Sequence, residues 1–257
     1  VDLLDVQVEG AFYRKSDNII YFGYFNPIFN QYYSAISDVA GHEYRHGIDD
    51  KTASLSYESE SGALNESFSD IFGVLTEAYI NGSVDWDLGE DLVIFRSMSN
   101  PKVYNQPDTY LGDNWYNTNG CSPDASNDYC GVHTNSGVQN YWFYLLANGG
   151  SGTNDNGYYY NIDGIGEEKA GMIAHLNQIT QMTSGSHYGN AWIGSIVVAE
   201  ILYGACSTEH LQTIMAWKAV GLPLYVDCNI LGESETKEIS FSVYPNPTSG
   251  NFRVESA

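Results

Sequence analysis

The strongest constraint on this chain is a pair of histidines one helical turn apart, followed twenty residues later by a carboxylate in a second helical pattern. The segment His42-Glu43-Tyr44-Arg45-His46 reads H-E-x-x-H. Four residues advance a helix by about 400°, so both imidazoles leave the same face. Two nitrogens at that spacing can share one zinc ion at about 2.0–2.1 Å, and Glu43 can approach a water there without being a ligand. A surface helix carrying two histidines would have the same five letters, and the next helical pattern decides between the two readings. From Gly62 to Asn81 it carries Glu66, Asp70 and Glu77 on one face to within about 40°, while Ile71, Phe72, Leu75 and Tyr79 make most of it apolar. Buried carboxylates are costly unless they are paired or hold a metal. The chain must therefore fold so that two helices lie side by side, with His42, His46 and Glu66 as zinc ligands and a fourth position open. Asp70 is expected to accept the proton on the far nitrogen of a ligating histidine.

Composition sets the context. Among 257 residues, 32 are acidic and 10 are Lys or Arg, a formal net charge of −22. Such a surface cannot neutralise a run of phosphates, which excludes nucleic acid as a partner. It reads as a self-repelling extracellular surface, some of whose carboxylates hold cations. No stretch approaches the roughly 18–20 apolar residues needed to span a bilayer. The start has neither an initiator Met nor the basic and apolar segments of a signal peptide, so a mature form or a fragment is expected. The four cysteines form two local pairs without C-x-x-C spacing. Disulfides Cys121–Cys130 and Cys206–Cys228 in an oxidising compartment, or four buried thiols, are the readings open.

Along the chain, residues 6–24 read as strands around the turn Ser16-Asp17-Asn18. Helical patterns cover 35–49 and 62–81, stopped by Asn81-Gly82. Residues 82–135 are loop-rich. Further helical patterns cover 136–147, 165–182, 189–204 and 207–219, and a Gly-rich separator occupies 149–164. A polar linker at 229–238 precedes an alternating segment from Ile239, a turn cluster Tyr244-Pro245-Asn246-Pro247, and a second strand signal at Phe252-Arg253-Val254. Two strands do not make a stable domain, so 239–257 is expected to be the start of a module.

From about Gly10 to Leu222 the chain resembles the thermolysin family of zinc metallopeptidases. The likeness is carried by H-E-x-x-H with N-E-x-x-x-D (Asn65, Glu66, Asp70), by Arg96-Ser97-Met98-Ser99, and by Gly131-Val132-His133-Thr134-Asn135-Ser136-Gly137. Leu202-Tyr203-Gly204 and Ala219-Val220-Gly221 match the family's closing helices. The resemblance implies an α+β fold, mainly α in this chain. The active-site helix at about 35–49 would lie under the remnant edge of a β-rich N-terminal lobe, and a helical lobe would span about 62–222. The peptidase portion would occupy 1–228, with its β lobe incomplete.

The resemblance also implies residue roles. Glu43 is the general base, Tyr57 and His133 stabilise the oxyanion, and Asp128 orients His133. Arg96 holds the substrate carbonyl, Ala11 lies on the edge strand that pairs with substrate, and Val39, Leu88 and Phe95 line a pocket for bulky hydrophobic side chains. Asp38, Glu77, Asp85, Asp87 and Glu90 match a double calcium site. The implied activity is hydrolysis of peptide bonds in extracellular proteins, with protein or peptide substrates as partners; a catalytically impaired fragment that binds zinc and calcium is the alternative. Three departures stand out. Gly10 replaces an Asn that holds substrate, Arg45 occupies a position usually small or hydroxylic, and the stretch between Glu90 and Arg96 is short. The tail, Phe241 to Gly250, resembles the opening of the C-terminal sorting domain of the type IX secretion pathway. It implies export by that machinery to the outside of the cell, or attachment at its surface.

Overall fold

In the computed structural model the described residues are 10–26, 31–32, 36–91, 93–223, 241–244 and 253–256. Two antiparallel helices organise the first of two units, Val1–Tyr225 and Val226–Ala257. Helix α1 runs from Ser37 to Lys51, with Asp38 in its first turn and Lys51 in its last, each placed to suit the helix dipole. Helix α2 runs from Ser59 to Asn81 and ends on Gly82, whose left-handed backbone (φ 80°) lets its N–H close onto the Ala78 carbonyl. Every residue of α2 from Gly62 to Ile71 is buried.

Two glycines let these helices approach. A side chain at Gly41 would meet Thr76 Oγ1 at 2.7 Å, and one at Gly73 would meet the Asp38 carbonyl at 2.7 Å. The contact therefore brings the histidine face of α1 against the carboxylate face of α2.

Strands β1 (Ala11–Arg14) and β2 (Ile19–Phe22) form an antiparallel hairpin, with Ala11 opposite Phe22 and Arg14 opposite Ile19. The turn uses Asn18 at φ 59°, a conformation Asn tolerates better than most side chains. Strands β3 (Tyr24–Asn26) and β4 (Gln31–Tyr32) make a further short pair. Strands β5 (Asp87–Leu88) and β6 (Arg96–Ser97) pair across the acidic loop that follows α2.

The helical part continues with α3 (Asp128–Asn135) and α4 (Gly137–Asn148), then α5 (Glu167–Leu176), which passes into a π-helical turn at Asn177–Gln181. Helices α6 (Tyr188–Tyr203) and α7 (Thr208–Ala219) complete it. Trp142 of α4 stacks on Trp217 of α7 at 4.6 Å between ring centroids, both fully buried. The Trp217 indole N–H donates to Ser195 Oγ on α6 at 2.7 Å, so one side chain ties three helices together.

The Gly-rich stretch at 149–164 is an antiparallel hairpin, β7 (Gly149–Thr153) with β8 (Tyr159–Asp163). β8 alternates Tyr160 and Ile162 inward, but β7 reads Gly-Gly-Ser-Gly-Thr and has no large side chains to display a period of two. In the second unit, β9 (Phe241–Tyr244) pairs antiparallel with β10 (Arg253–Ser256). The linker expected at 229–238 and the turn at Pro245–Gly250 lie outside the described residues. Among the described residues no helix is long and apolar enough to cross a membrane.

Trp217→Ala removes the stacked partner of Trp142 and leaves Ser195 without its donor. It is expected to destabilise the chain by about 3–5 kcal/mol, measured as a fall in the urea midpoint with little change in slope; a loss below about 1 kcal/mol, the scale of an ordinary substitution, would contradict this packing.

Candidate active site

The histidine pair and Glu66 meet where the helices touch. His42 Nε2 and His46 Nε2 face each other at 3.0 Å. Glu66 Oε2 lies 3.4 Å from the first, and Glu66 Oε1 lies 3.6 Å from the second. These ligand atoms all fall within 4.8 Å of one another. Glu66 is fully buried and its Oε2 has no hydrogen-bond partner, which is expensive for an ionised carboxylate unless a cation stands by. Burial disfavours a charged His42, yet Asp70 and Glu66 raise its pKa to about 10, a sign of how negative the pocket is. The donor set of two imidazoles and one carboxylate suits zinc with an open position.

Each histidine is held from behind. Asp70 Oδ1 stands 2.8 Å from His42 Nδ1. Arg96 and Asn140 also donate to Asp70, at 2.5 and 2.8 Å. Burial opposes ionisation of Asp70, but Arg96 and His42 hold its pKa below the usual carboxylate range. His46 Nδ1 donates to Asn65 Oδ1 at 2.7 Å, and Ser69 Oγ stands 3.1 Å from the same nitrogen.

A cleft of about 450 Å³ opens over these groups. Ala11, Phe12 and Tyr13 of β1 form one wall, with His42, Glu43, His46, Glu66, Tyr57 and His133 around the rest. Glu43 is buried and its Oε2 has no hydrogen-bond partner. The Tyr57 hydroxyl donates to Glu66 Oε1 and lies 3.3 Å from His133 Nε2. His133 Nε2 lies 3.3 Å from Glu66 Oε2.

His133 is delivered by an unusual piece of backbone. Asp128, Tyr129, Cys130 and Gly131 all have positive φ, from 49° to 78°, giving a left-handed turn. That conformation costs roughly 1–2 kcal/mol per non-glycine residue, and local contacts offset it. Cys130 is bonded to Cys121, and the Asn127 side chain accepts from the Cys130 N–H at 3.0 Å. The turn aims Asp128 forward, so its carboxylate accepts from both the backbone N–H and the Nδ1 of His133. The Glu66 charge raises the His133 pKa; burial opposes the shift and Asp128 adds to it.

Val39 and Leu88 are buried, Phe95 packs against the core, and Arg96 is tied to Asp70. None of the four lines this cleft.

A second carboxylate group sits at the N-terminal end of α1. Asp38, Glu77 and Glu90 bring ligand atoms within 4.8 Å of one another. Glu77 Oε2 and Glu90 Oε2 are buried without partners. Burial, and then the neighbouring Glu90, Asp38 and Asp85, push the Glu77 pKa up to about 8. Crowded carboxylates with two oxygens left unbonded fit a hard oxygen-seeking cation such as calcium. Asp85 and Asp87 lie outside the tight group, and the Asp85 carboxylate accepts the Asp87 N–H at 3.0 Å.

Cys206 is disulfide-bonded; Cys228, its expected partner, lies outside the described residues.

Arg45 stood out in the sequence, but the residues it reaches had no signal there. Arg45 donates from Nε to Gln178 Oε1 and stacks on Phe72 at 3.8 Å. Asp49 receives Gln178 and Asn65. Gln178 is 133 positions from Arg45, too far apart for any local pattern to reveal.

Comparison with known proteins agrees with this geometry. Residues 53–222 match the family described as thermolysin metallopeptidase, alpha-helical domain. Bacillolysin of Bacillus cereus is 40% identical over 192 residues, covering 72% of this chain and 31% of its own length. Neutral protease NprE of Bacillus pumilus is 39% identical over 204 residues, covering 77% of this chain and 57% of its own. This chain thus spans less than two thirds of either relative. Among solved structures, the precursor of protealysin, a metalloproteinase from Serratia proteamaculans, superposes with a TM-score of 0.63 at 25% identity, covering 85% of this chain and 66% of that one. On the family match and these identities, the chain belongs to the thermolysin metallopeptidase family.

Proposed function

We propose that this chain carries the catalytic centre of a secreted zinc metalloendopeptidase. The observation that carries the reading is the convergence of His42, His46 and Glu66 at the foot of a cleft, beside a buried Glu43 whose Oε2 has no hydrogen-bond partner. His42, His46 and Glu66 would hold zinc, which when bound supplies a Lewis acid able to bring the pKa of a water down towards about 7.

The chain's own residues do the rest. Glu43 takes the proton of the attacking water and later gives it to the leaving amine. The Tyr57 hydroxyl and the Nε2–H of His133 donate to the substrate carbonyl oxygen as it becomes negative; one such donor is worth about 3–4 kcal/mol of barrier. Asp128 keeps His133 turned so that Nε2 faces the cleft. A substrate would lie extended beside β1, whose residues line the opposite wall. The preference for bulky hydrophobic side chains rests on the family likeness at Val39, Leu88 and Phe95. Arg96 would hold a substrate carbonyl while braced by Asp70. Asp38, Glu77 and Glu90, with Asp85 and Asp87 nearby in sequence, would hold structural calcium.

The disulfide at Cys121–Cys130 supports an oxidising, extracellular setting. The tail from Phe241 is read as a type IX export address, with surface attachment as its further consequence. The alternative, a zinc- and calcium-binding piece with impaired catalysis, draws on the 31% of the bacillolysin length that the match spans.

Glu43→Gln removes the base and spares every ligand. Zinc content is expected to stay at the level of the unaltered chain while casein hydrolysis falls by the roughly 10²–10⁴-fold typical of acid–base catalysis; activity above about a hundredth of the original would reject the assignment. In the calcium arm, a hundredfold excess over the dissociation constant adds about 2.7 kcal/mol by mass action. Glu90→Ala should abolish most of the calcium-dependent rise in Tm, and a rise equal to that of the unaltered chain would mean that calcium binds elsewhere.

A further inference from the structure

We propose that Arg45, Gln178 and Asp49 are positioning residues that fix which nitrogen of His46 is free for a metal, by setting the direction of a hydrogen-bond chain ending on that ring. This inference rests on the reading of His42, His46 and Glu66 as a metal site.

The chain is continuous and buried. Arg45, 2% exposed, donates from Nε to Gln178 Oε1 at 2.5 Å. Gln178, in the π-helical turn, donates from Nε2 to Asp49 Oδ1 at 3.0 Å. Asp49 Oδ2 accepts the Leu55 N–H and the Asn65 Nδ2–H, each at 3.0 Å. Asn65 Oδ1 then receives His46 Nδ1 at 2.7 Å.

What matters is that the direction cannot be reversed. A side-chain amide is nearly the same shape either way round, so its neighbours decide which end donates. A guanidinium only donates, which obliges Gln178 to present its oxygen to Arg45 and its NH₂ to Asp49. A backbone N–H also only donates, and Leu55 enters the same carboxylate. Asp49 thereby accepts on both oxygens. Asn65 must offer it the NH₂ group, which leaves the amide oxygen towards His46. That oxygen accepts only, so the hydrogen of His46 sits on Nδ1. The lone pair is left on Nε2, the nitrogen facing His42 Nε2 and Glu66.

The contrast with His42 shows why such a chain is needed. His42 is backed by Asp70, a carboxylate that accepts whichever way it turns. His46 is backed by an amide, and an Asn65 turned over would donate to Nδ1 and drive the hydrogen onto Nε2, blocking the metal position. Two features place the controlling groups. The π-helical turn brings Gln178 into the interior, a distortion often found at functional positions. Phe72 and His175 hold the Arg45 guanidinium, at 3.8 Å to the ring centroid and at 3.0 Å.

The test is zinc affinity by chelator competition on the whole chain, with the metal-free melting transition of each variant recorded alongside. Asp49→Asn gives Asn65 a neighbour that can itself donate, and Gln178→Met cuts the chain one link further out. Each is expected to weaken zinc by roughly 10- to 100-fold, the usual cost of losing a group that orients a metal ligand. The exchange Asp49→Asn with Asn65→Asp backs His46 with a carboxylate, as His42 is, and is expected to recover most of the affinity that Asp49→Asn alone loses. Variants that melt earlier yet bind zinc as tightly as the unaltered chain would reduce the network to packing and overturn the proposal, as would an exchange variant that recovers nothing. An unaltered chain that takes up no zinc would overturn the metal-site reading itself, and this proposal with it.

Discussion

The contact between α1 and α2 is the constraint on which the site depends. With Gly41 and Gly73 at the crossing, two helices approach so closely that side chains from both reach one point. Charges that would separate in water are held together there. Glu66 and Asp70 are fully buried, and His42, His46 and Arg96 crowd around them. Enclosing so many ionisable groups in apolar surroundings is unfavourable unless opposite charges and donors are placed against them. The structure does this with Asn140, Arg96 and Asn65, and leaves Glu43 Oε2 without a hydrogen-bond partner at the base of the cleft. That oxygen, beside a Glu66 carboxylate faced by three imidazoles, sets the site apart from an ordinary buried ion-pair network.

The helical lobe serves that contact. The Trp142–Trp217 stack and the buried apolar side chains of α2 belong to one hydrophobic core. The left-handed turn at Asp128–Gly131, braced by Cys121 and Asn127, swings His133 back over the same point. His133 and Tyr57 are therefore brought to Glu66 by separate segments, Tyr57 from the connection between α1 and α2 and His133 from α3.

What could be read from the sequence follows from how local each signal is. His42 and His46 are legible because the helical period and the ligand chemistry operate within one turn. Glu66 and Asp70 are legible because carboxylates on an apolar helix face demand an explanation. Tyr57, His133 and Asp128 carried no pattern of their own and entered only through family likeness, since a left-handed turn at non-glycine residues has no composition to announce it. The β7–β8 hairpin was hidden because glycine shows no alternation. Arg45 stood out as unusual, but its partner Gln178 is fixed by tertiary packing and a π-helical turn. The tight carboxylate group of Asp38, Glu77 and Glu90 likewise joins α1, α2 and the following loop, which no single stretch of sequence encodes.

The account's central claim is that α1 and α2 together hold one metal ion through two imidazoles and one carboxylate. X-ray absorption at the zinc edge of the loaded chain tests it most directly. The account predicts nitrogen and oxygen neighbours at about 2.0–2.1 Å with two imidazole contributions and no sulfur, and a loss of that signature in Glu66→Ala at equal protein and zinc. A sulfur shell near 2.3 Å, or a spectrum unchanged by Glu66→Ala, would place the metal elsewhere and contradict the account.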